Sequence, residues 1–504
     1  MLSRLAAILL VLIASARIVA TYKALSNTTD EPAHLAAGME WLENGTYTYE
    51  DQHPPLARVA GALGLRYAGA RWAHGPDMYF EGFHLLGYNH RYEHNLFYSR
   101  LAMLPFFWIA CAVVFLWAKH GCGGVAAVFS ILIFTTIPPV LGHAGLAATD
   151  MALTAFTAAA GFAATRLFEK PNAFRAIVFG LLAGLAVSSK FSALLFLPAG
   201  LIAMYPFSPR PRLRDLLVPA LISLLAAACV VTAIYRFAPW PTFFNGLRSV
   251  WEHNKAGHPA WLLGQRSLHG FWYYYLVAGA VKTPLAMLIL AILAIGRRSV
   301  ARPLAFSAAV LFVASFGSIN IGIRHILPVY VGLSIGCGFA AMQLLKSGLP
   351  GRVTVTALLG WQIVSGALNH PDYIAYTNEL AGNRPDRILA DSDLDWGQDM
   401  KRLAVRIFKL GVPEFTFKIA SPGYLAAGND FPRFVDMPSG DHPRPGWNAV
   451  SITPWRITGE PAWAETAEPR ERIGRSILLY YFPPAHASPE SVPGSPESQK
   501  PPGY

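Results

Sequence analysis

Apolar segments of about twenty residues recur along most of this chain, and a helix needs about that length to cross a bilayer. They lie near 5–25, 100–118, 122–140, 149–166, 173–189, 191–206, 215–237, 281–296, 303–319, 326–345 and 353–369. In hydrocarbon a spanning segment must satisfy its own backbone hydrogen bonds, which favours helices over irregular chain. The pattern predicts an all-α polytopic membrane protein with about eleven transmembrane helices. Only 14% of residues are charged, against about a quarter in soluble domains. The formal charge of +11 would by itself suit a nucleic-acid partner. The basic residues fall in short runs between apolar segments, however, so topology accounts for them and no nucleic acid is expected. Cys111, Cys122, Cys229 and Cys337 have no metal spacing and lie in or beside apolar stretches, which predicts core thiols rather than a disulfide framework.

Lysine and arginine set the orientation. With the N-terminus inside, the inner loops carry Lys119; Arg166, Lys170 and Arg175; Arg210, Arg212 and Arg214; Arg297, Arg298 and Arg302; and Lys346 and Arg352. Each is short and basic, as the positive-inside rule requires. Residues 1–16 have the basic start and small-residue end of a signal peptide, but apolar character continues past Arg17, which favours a retained first helix. The chain reads as a multi-pass protein of the plasma (inner) membrane, with a cytoplasmic N-terminus and everything after residue 370 outside.

Three regions divide it: a membrane domain over 1–369, an extracytoplasmic α/β domain over 370–482, and a Pro/Ser-rich tail over 483–504 that composition predicts to be disordered. Two outer loops are long. In the first, 26–98, segments 31–43 and 55–68 have helical apolar spacing and are expected along the membrane surface. The second, 238–280, is dense in aromatic residues and suits an interfacial belt. In the small domain, 387–391, 414–420, 448–453 and 476–482 read as strands and 396–411 as an amphipathic helix closed by Gly411.

The chemistry concentrates at the outer face. Asp30 and Glu31 stand just past the first span, in TDEPAHLAAG, and acids at the mouth of a membrane helix are costly unless they have work to do. Asp30 before Glu31-Pro32 also makes a good N-cap, and the helix dipole would favour its charged form, as a general base requires. Asp150 repeats the pattern in LAATDMALTAF. Together the acids could orient an acceptor or hold a divalent cation. HPPL at 53–56 puts His53 on a rigid corner, as a turn residue or as a metal or phosphate contact, and Arg58 one turn on could face an anion. Lys190, Lys282, Arg324 and His325 lie near outer helix ends. They either snorkel to the interface or hold a lipid phosphate, whose oxygens the arginine fork matches. Asp391, Asp393 and Asp395 alternate like the start of a calcium loop, but Trp396 stands where an EF-hand needs glycine, so a capped turn is expected.

In their order, TDEPAHLAAG, HPPLAR, LAATDMALTAF, SSKFSALLFLPAG, GFWYYYLVAGAVKTP and NIGIRHILPVY resemble the family 39 glycosyltransferases of GT-C fold, which include protein O-mannosyltransferases and aminoarabinose transferases. HPDYIAYTNELAG and DSDLDWGQDMKRL look like a bacterial subgroup of that family. The resemblance implies a sugar donor on a polyprenyl phosphate, an acceptor hydroxyl on protein, lipid or glycan, and transfer outside the cytoplasm with inversion. It implies Asp30 as the base, supported by Glu31 and Asp150. Lys190, Arg324, His325, Arg58 and Lys282 would hold the carrier phosphate. Some relatives carry a metal-binding acid where this chain has Gln52-His53, so His53 is the candidate ligand for any divalent metal. A lipid-linked-sugar transporter without catalysis would use the same charges; transporters often show repeats, and none is visible. A surface-polysaccharide polymerase or ligase is the other alternative.

Overall fold

The computed structural model describes residues 1–209, 212–237, 240–438, 440 and 442–484. Arg210 of the inner-loop series, and the tail from residue 485, lie outside the described residues. Five described helices are long and apolar enough to cross a membrane: Leu2–Thr21, Tyr92–Cys122, Asp150–Glu169, Arg214–Ile234 and Val329–Lys346. The count reaches seven if Gly124–Phe134 with Pro138–Ala144, bent by 71°, and Tyr274–Lys282 with Leu285–Ala294, bent by 113°, are each one span. Ala173–Ser189 and Ala193–Phe207 are shorter apolar helices. Several expected spans are therefore short or broken. The breaks fall at Pro138-Pro139 and Pro284, where proline removes a backbone donor.

At the centre stands Asp150–Glu169, whose alanine-rich surface is buried on nearly every side. Helices Leu104–Cys122, Ala173–Ser189 and Ala193–Met204 pack on it. Leu2–Thr21 and Leu213–Ile234 lie at the periphery and turn Leu5, Ile8, Leu9 and Leu12, and Leu217, Leu221, Leu224 and Leu225, outward. Apolar faces of that extent match a hydrocarbon surrounding. All four cysteines are free. Cys111 and Cys337 are buried as expected, whereas Cys229 is exposed on the peripheral helix.

The first outer loop forms Glu31–Glu43 and Pro55–Tyr67, as its periodicity predicts, and also Met78–Gly87 and Tyr92–Leu101. Glu31–Glu43 does not lie on the surface: Glu31 through Glu40 are all buried. Glycines allow this. A Cβ on Gly38 would collide with the Arg58 carbonyl, and one on Gly82 with that of Pro32. Pro55–Tyr67 is the outer layer, with Leu63 and Tyr67 exposed. In the second loop, Trp240–Ala256 and the strands Ala260–Leu262 and Gln265–Ser267 leave Phe244, Trp251 and Trp272 exposed.

The C-terminal part carries a small mixed sheet, in the order Arg433–Asp436, Glu414–Lys418, Gly446–Ser451, Ile477–Phe482, Glu471–Ile473. The first three strands are parallel and the last two antiparallel. The expected strand at 387–391 is absent. Leu389 makes one bridge to Leu262, and Asp391–Asp393 is a 3₁₀ turn. The expected helix is shorter, Met400–Lys409, with Gly411 beyond it at φ +64°.

Candidate active site

Asp30 stands at the N-cap position of Glu31–Glu43, yet its side chain makes no capping hydrogen bond. It turns instead to Arg324, whose Nη1 donates to Oδ2 at 2.9 Å. The same Nη1 lies 4.0 Å from Oδ2 of Asp150. Lys190, where helix Ala173–Ser189 ends, donates to Asp150 Oδ1 at 2.7 Å. Two acids and two cations, distant in sequence, thus form one cluster. Asp30 is its accessible member, with a side chain 30% exposed, against 1% for Asp150. Oδ2 of Asp150, Nε of Arg324 and Nδ1 of nearby His143 are buried without hydrogen-bond partners. Unsatisfied buried polar atoms are rare and ask for an explanation; here three border one site.

Arg324 is held from below by the C-terminal part. Its guanidinium lies 4.1 Å from the centre of the Trp396 ring. Ile323 N–H donates to Asp393 Oδ1 at 2.9 Å, and Ser392 Oγ donates to the Ile321 carbonyl. Gly322, at φ +120°, has no room for a Cβ beside Ser392. Thr29 N–H donates to the Trp396 carbonyl at 2.9 Å, so one indole-bearing turn touches both the Asp30 loop and the Arg324 loop. The three aspartates of this turn diverge rather than converge. Asp393 accepts from Tyr274 Oη at 2.9 Å, and Asp395 from Gly397 and Thr453 N–H at 3.2 and 3.1 Å. Asp391, at φ +56°, stays near Arg324 and Asp30; burial pushes its carboxyl up to about 7 against the pull of Arg324. The sequence predicts a capped turn here. The DxDxDW spacing was the available signal, but nothing in it pointed to Arg324.

Glu31 and Lys282 lie apart from this cluster. Glu31 is fully buried and accepts from Arg100 Nε and Nη2 at 2.9 and 2.8 Å and from Ala147 and Thr28 N–H at 3.0 and 2.7 Å. Burial would raise its carboxyl; Arg100 and these donors outweigh that and lower it. Lys282, expected at the carrier phosphate, is wholly buried and donates to the carbonyls of Ile374 and Asp393 at 2.6 and 2.5 Å. It ties the 370–395 segment to the bundle. His325 is held neutral, well below its ordinary range, by burial and by Lys190 and Arg324.

Arg58 and His53 belong to a second cluster. His34, Glu50 and His53 bring three ligand atoms within 4.8 Å of one another, a spacing that could hold a metal ion. Arg58 reaches into the same space: its Nε donates to His34 Nδ1 at 3.1 Å, its Nη2 lies 3.3 Å from His53 Nδ1, and it pairs with the Glu50 carboxylate. Burial first, then the nearby cations, lowers both histidines, His53 to about 4. Gln52 Oε1 lies 2.9 Å from His253 Nδ1, and Ser249 donates to Asp51 at 3.0 Å, so the second outer loop leans on the first.

The helix bundle, with its loop helices and small C-terminal sheet, matches a GT-C type fold. Residues 92–235, which include Asp150 and Lys190, match the family described as dolichyl-phosphate-mannose-protein mannosyltransferase. The crystal structure of ArnT from Cupriavidus metallidurans bound to undecaprenyl phosphate aligns over 94% of this chain and 97% of its own, at 13% identity and a TM-score of 0.52. The apo state of the same protein aligns over the same shares, with the same identity and score. No curated protein sequence matches the chain. The chain is similar to the family 39 GT-C glycosyltransferases, in sequence over the matched segment and in fold throughout.

Proposed function

We propose that this protein is an integral-membrane glycosyltransferase that moves a sugar from a polyprenyl phosphate to an acceptor hydroxyl at the outer membrane face. The observation that carries this reading is the meeting of Asp30 and Asp150 on Arg324, with Lys190 beside them and unpartnered polar atoms around them. Asp30, the exposed acid, accepts the acceptor's hydroxyl proton. The freed oxygen bonds to the anomeric carbon, and the bond from that carbon to the carrier phosphate oxygen breaks with inversion. The phosphate leaves with the electron pair, and Arg324 and Lys190 stabilise the charge growing on it. Asp150 holds both cations in place before the donor arrives, and His325 lines the same wall. Glu31 and Lys282 act as framework. An eleven-span topology with the N-terminus in the cytoplasm, and a division near residue 370 before an outer domain, belong to the same reading. The fold likeness to a protein crystallised with undecaprenyl phosphate supports the donor class.

The test is purified protein in liposomes given a polyprenyl-phosphate-linked sugar and hydroxyl acceptors. The expected result is release of polyprenyl phosphate with stoichiometric, anomerically inverted product. Donor that crosses the bilayer without being cleaved would make the protein a transporter.

A further inference from the structure

We infer that Arg58 is the built-in cation of the His34–Glu50–His53 cluster, and that this cluster takes no divalent metal while Arg58 is in place. Three potential ligand atoms within 4.8 Å of one another would, taken alone, read as a His₂Glu metal site with an open position. The guanidinium has already filled it. Of its five N–H donors, Nε is used by His34 Nδ1. Nη1 donates to Tyr47 Oη at 3.0 Å and to the Glu50 carbonyl at 2.8 Å, and Nη2 faces His53 Nδ1 and the Glu50 carboxylate. Nδ1 of His34, Nδ1 of His53 and the Glu50 carboxylate are therefore all turned toward a cation that is itself buried, with 2% exposure.

Charge makes the same point. His34 accepts from the guanidinium at Nδ1, His53 Nδ1 lies between that guanidinium and Glu50 Oε2, 3.2 Å away, and Glu50 balances Arg58 one to one. A divalent ion would add two uncompensated positive charges beside Arg58 in a poorly solvated site. The position of Arg58 is fixed by the backbone. Helix Pro55–Tyr67 meets Glu31–Glu43 at Gly38, where a Cβ would strike the Arg58 carbonyl. His34 sits one turn before that contact, four residues after Asp30. Arg58 therefore braces the loop 44–54 and the helix that presents Asp30. The second acid group, Asp30 with Asp150, is likewise matched by protein cations, Arg324 and Lys190.

The inference concerns binding and is read without reference to transfer, so it can fail while the transferase reading stands, and the reverse. Wild-type protein purified without chelator is analysed for zinc, manganese, nickel and cobalt. It is then titrated with Co²⁺ alongside Arg58→Ala and Arg58→Lys, following the visible absorption of the bound ion. Wild type is expected to hold less than about 0.1 metal per chain, and Arg58→Ala to take up about one Co²⁺ with a tetrahedral spectrum. Arg58→Lys, which keeps the charge, should stay closed. About one chelatable metal per wild-type chain overturns the inference, whatever the variants do. A folded Arg58→Ala protein that binds no Co²⁺ overturns the claim that Arg58 holds the metal's place. If Arg58→Ala does not fold, the wild-type metal content decides.

Discussion

Asp30 and Glu31 are neighbours, both acidic, and each meets an arginine from a distant part of the chain. Their surroundings differ in one respect. Glu31 is sealed, with both oxygens accepting from Arg100 and further donors from Thr28 and Ala147. Asp30 has one strong partner and remains open, in a cluster where Asp150 and Arg324 each keep an unsatisfied atom. A saturated ion pair holds a fold together. An unsaturated one leaves the desolvation of its groups uncompensated, and the proposed function assigns that compensation to a bound ligand.

Exchanging the two roles tests that contrast most severely. Asp30→Asn is expected to lower transfer by about 10²–10⁴-fold while the melting temperature in detergent holds; equal transfer would remove Asp30 from the chemistry. Glu31→Ala is expected to cost about 3–5 kcal/mol of stability, because it leaves Arg100 buried and unpaired; unchanged thermal melting would show the pair to be dispensable.

Acid and base should affect the two kinds of carboxyl in opposite directions. Glu31, lowered from 4.5, stabilises the fold above its unfolded value, and that contribution is lost as pH falls through the folded one. Asp395, in the C-terminal part and raised by burial to about 7, binds its proton more tightly folded than unfolded. It therefore favours the fold below its ordinary value and costs stability as pH rises toward 7. Melting curves between about pH 3 and pH 8 should show Asp395→Asn flattening the fall on the alkaline side and leaving the acid limb intact.

The smallest expected effect is at the indole beneath Arg324. Trp396→Leu removes a cation–π contact of about 1 kcal/mol, roughly fivefold in kcat/KM, without moving Asp30. A larger loss, accompanied by unfolding, would make the ring a core residue only.

Much of this was legible before the structure. Acids at the outer mouths of apolar helices marked Asp30 and Asp150, and cations at outer helix ends marked Lys190 and Arg324; these four meet. Composition could not separate Glu31 from Asp30, because what distinguishes them is Arg100, 69 residues away. Arg58 read as an anion contact because its partner Glu50 sits in a loop without periodicity. Lys282 read as a phosphate ligand because carbonyl acceptors have no signature in side-chain order. Ile388 and Leu389 read as strand from their apolar character, yet they pack beside Leu262 and Leu263 of the second outer loop.

The turn at 391–396 has a consequence for how the molecule is made. Its contacts to Thr29, Ile321 and Ile323 mean that the wall behind Arg324 is supplied by chain synthesised after the last apolar segment. An inserted bundle that ends near residue 370 would hold its acids and cations without that backing. Maturation of the site therefore waits on synthesis of this turn and its docking against the bundle.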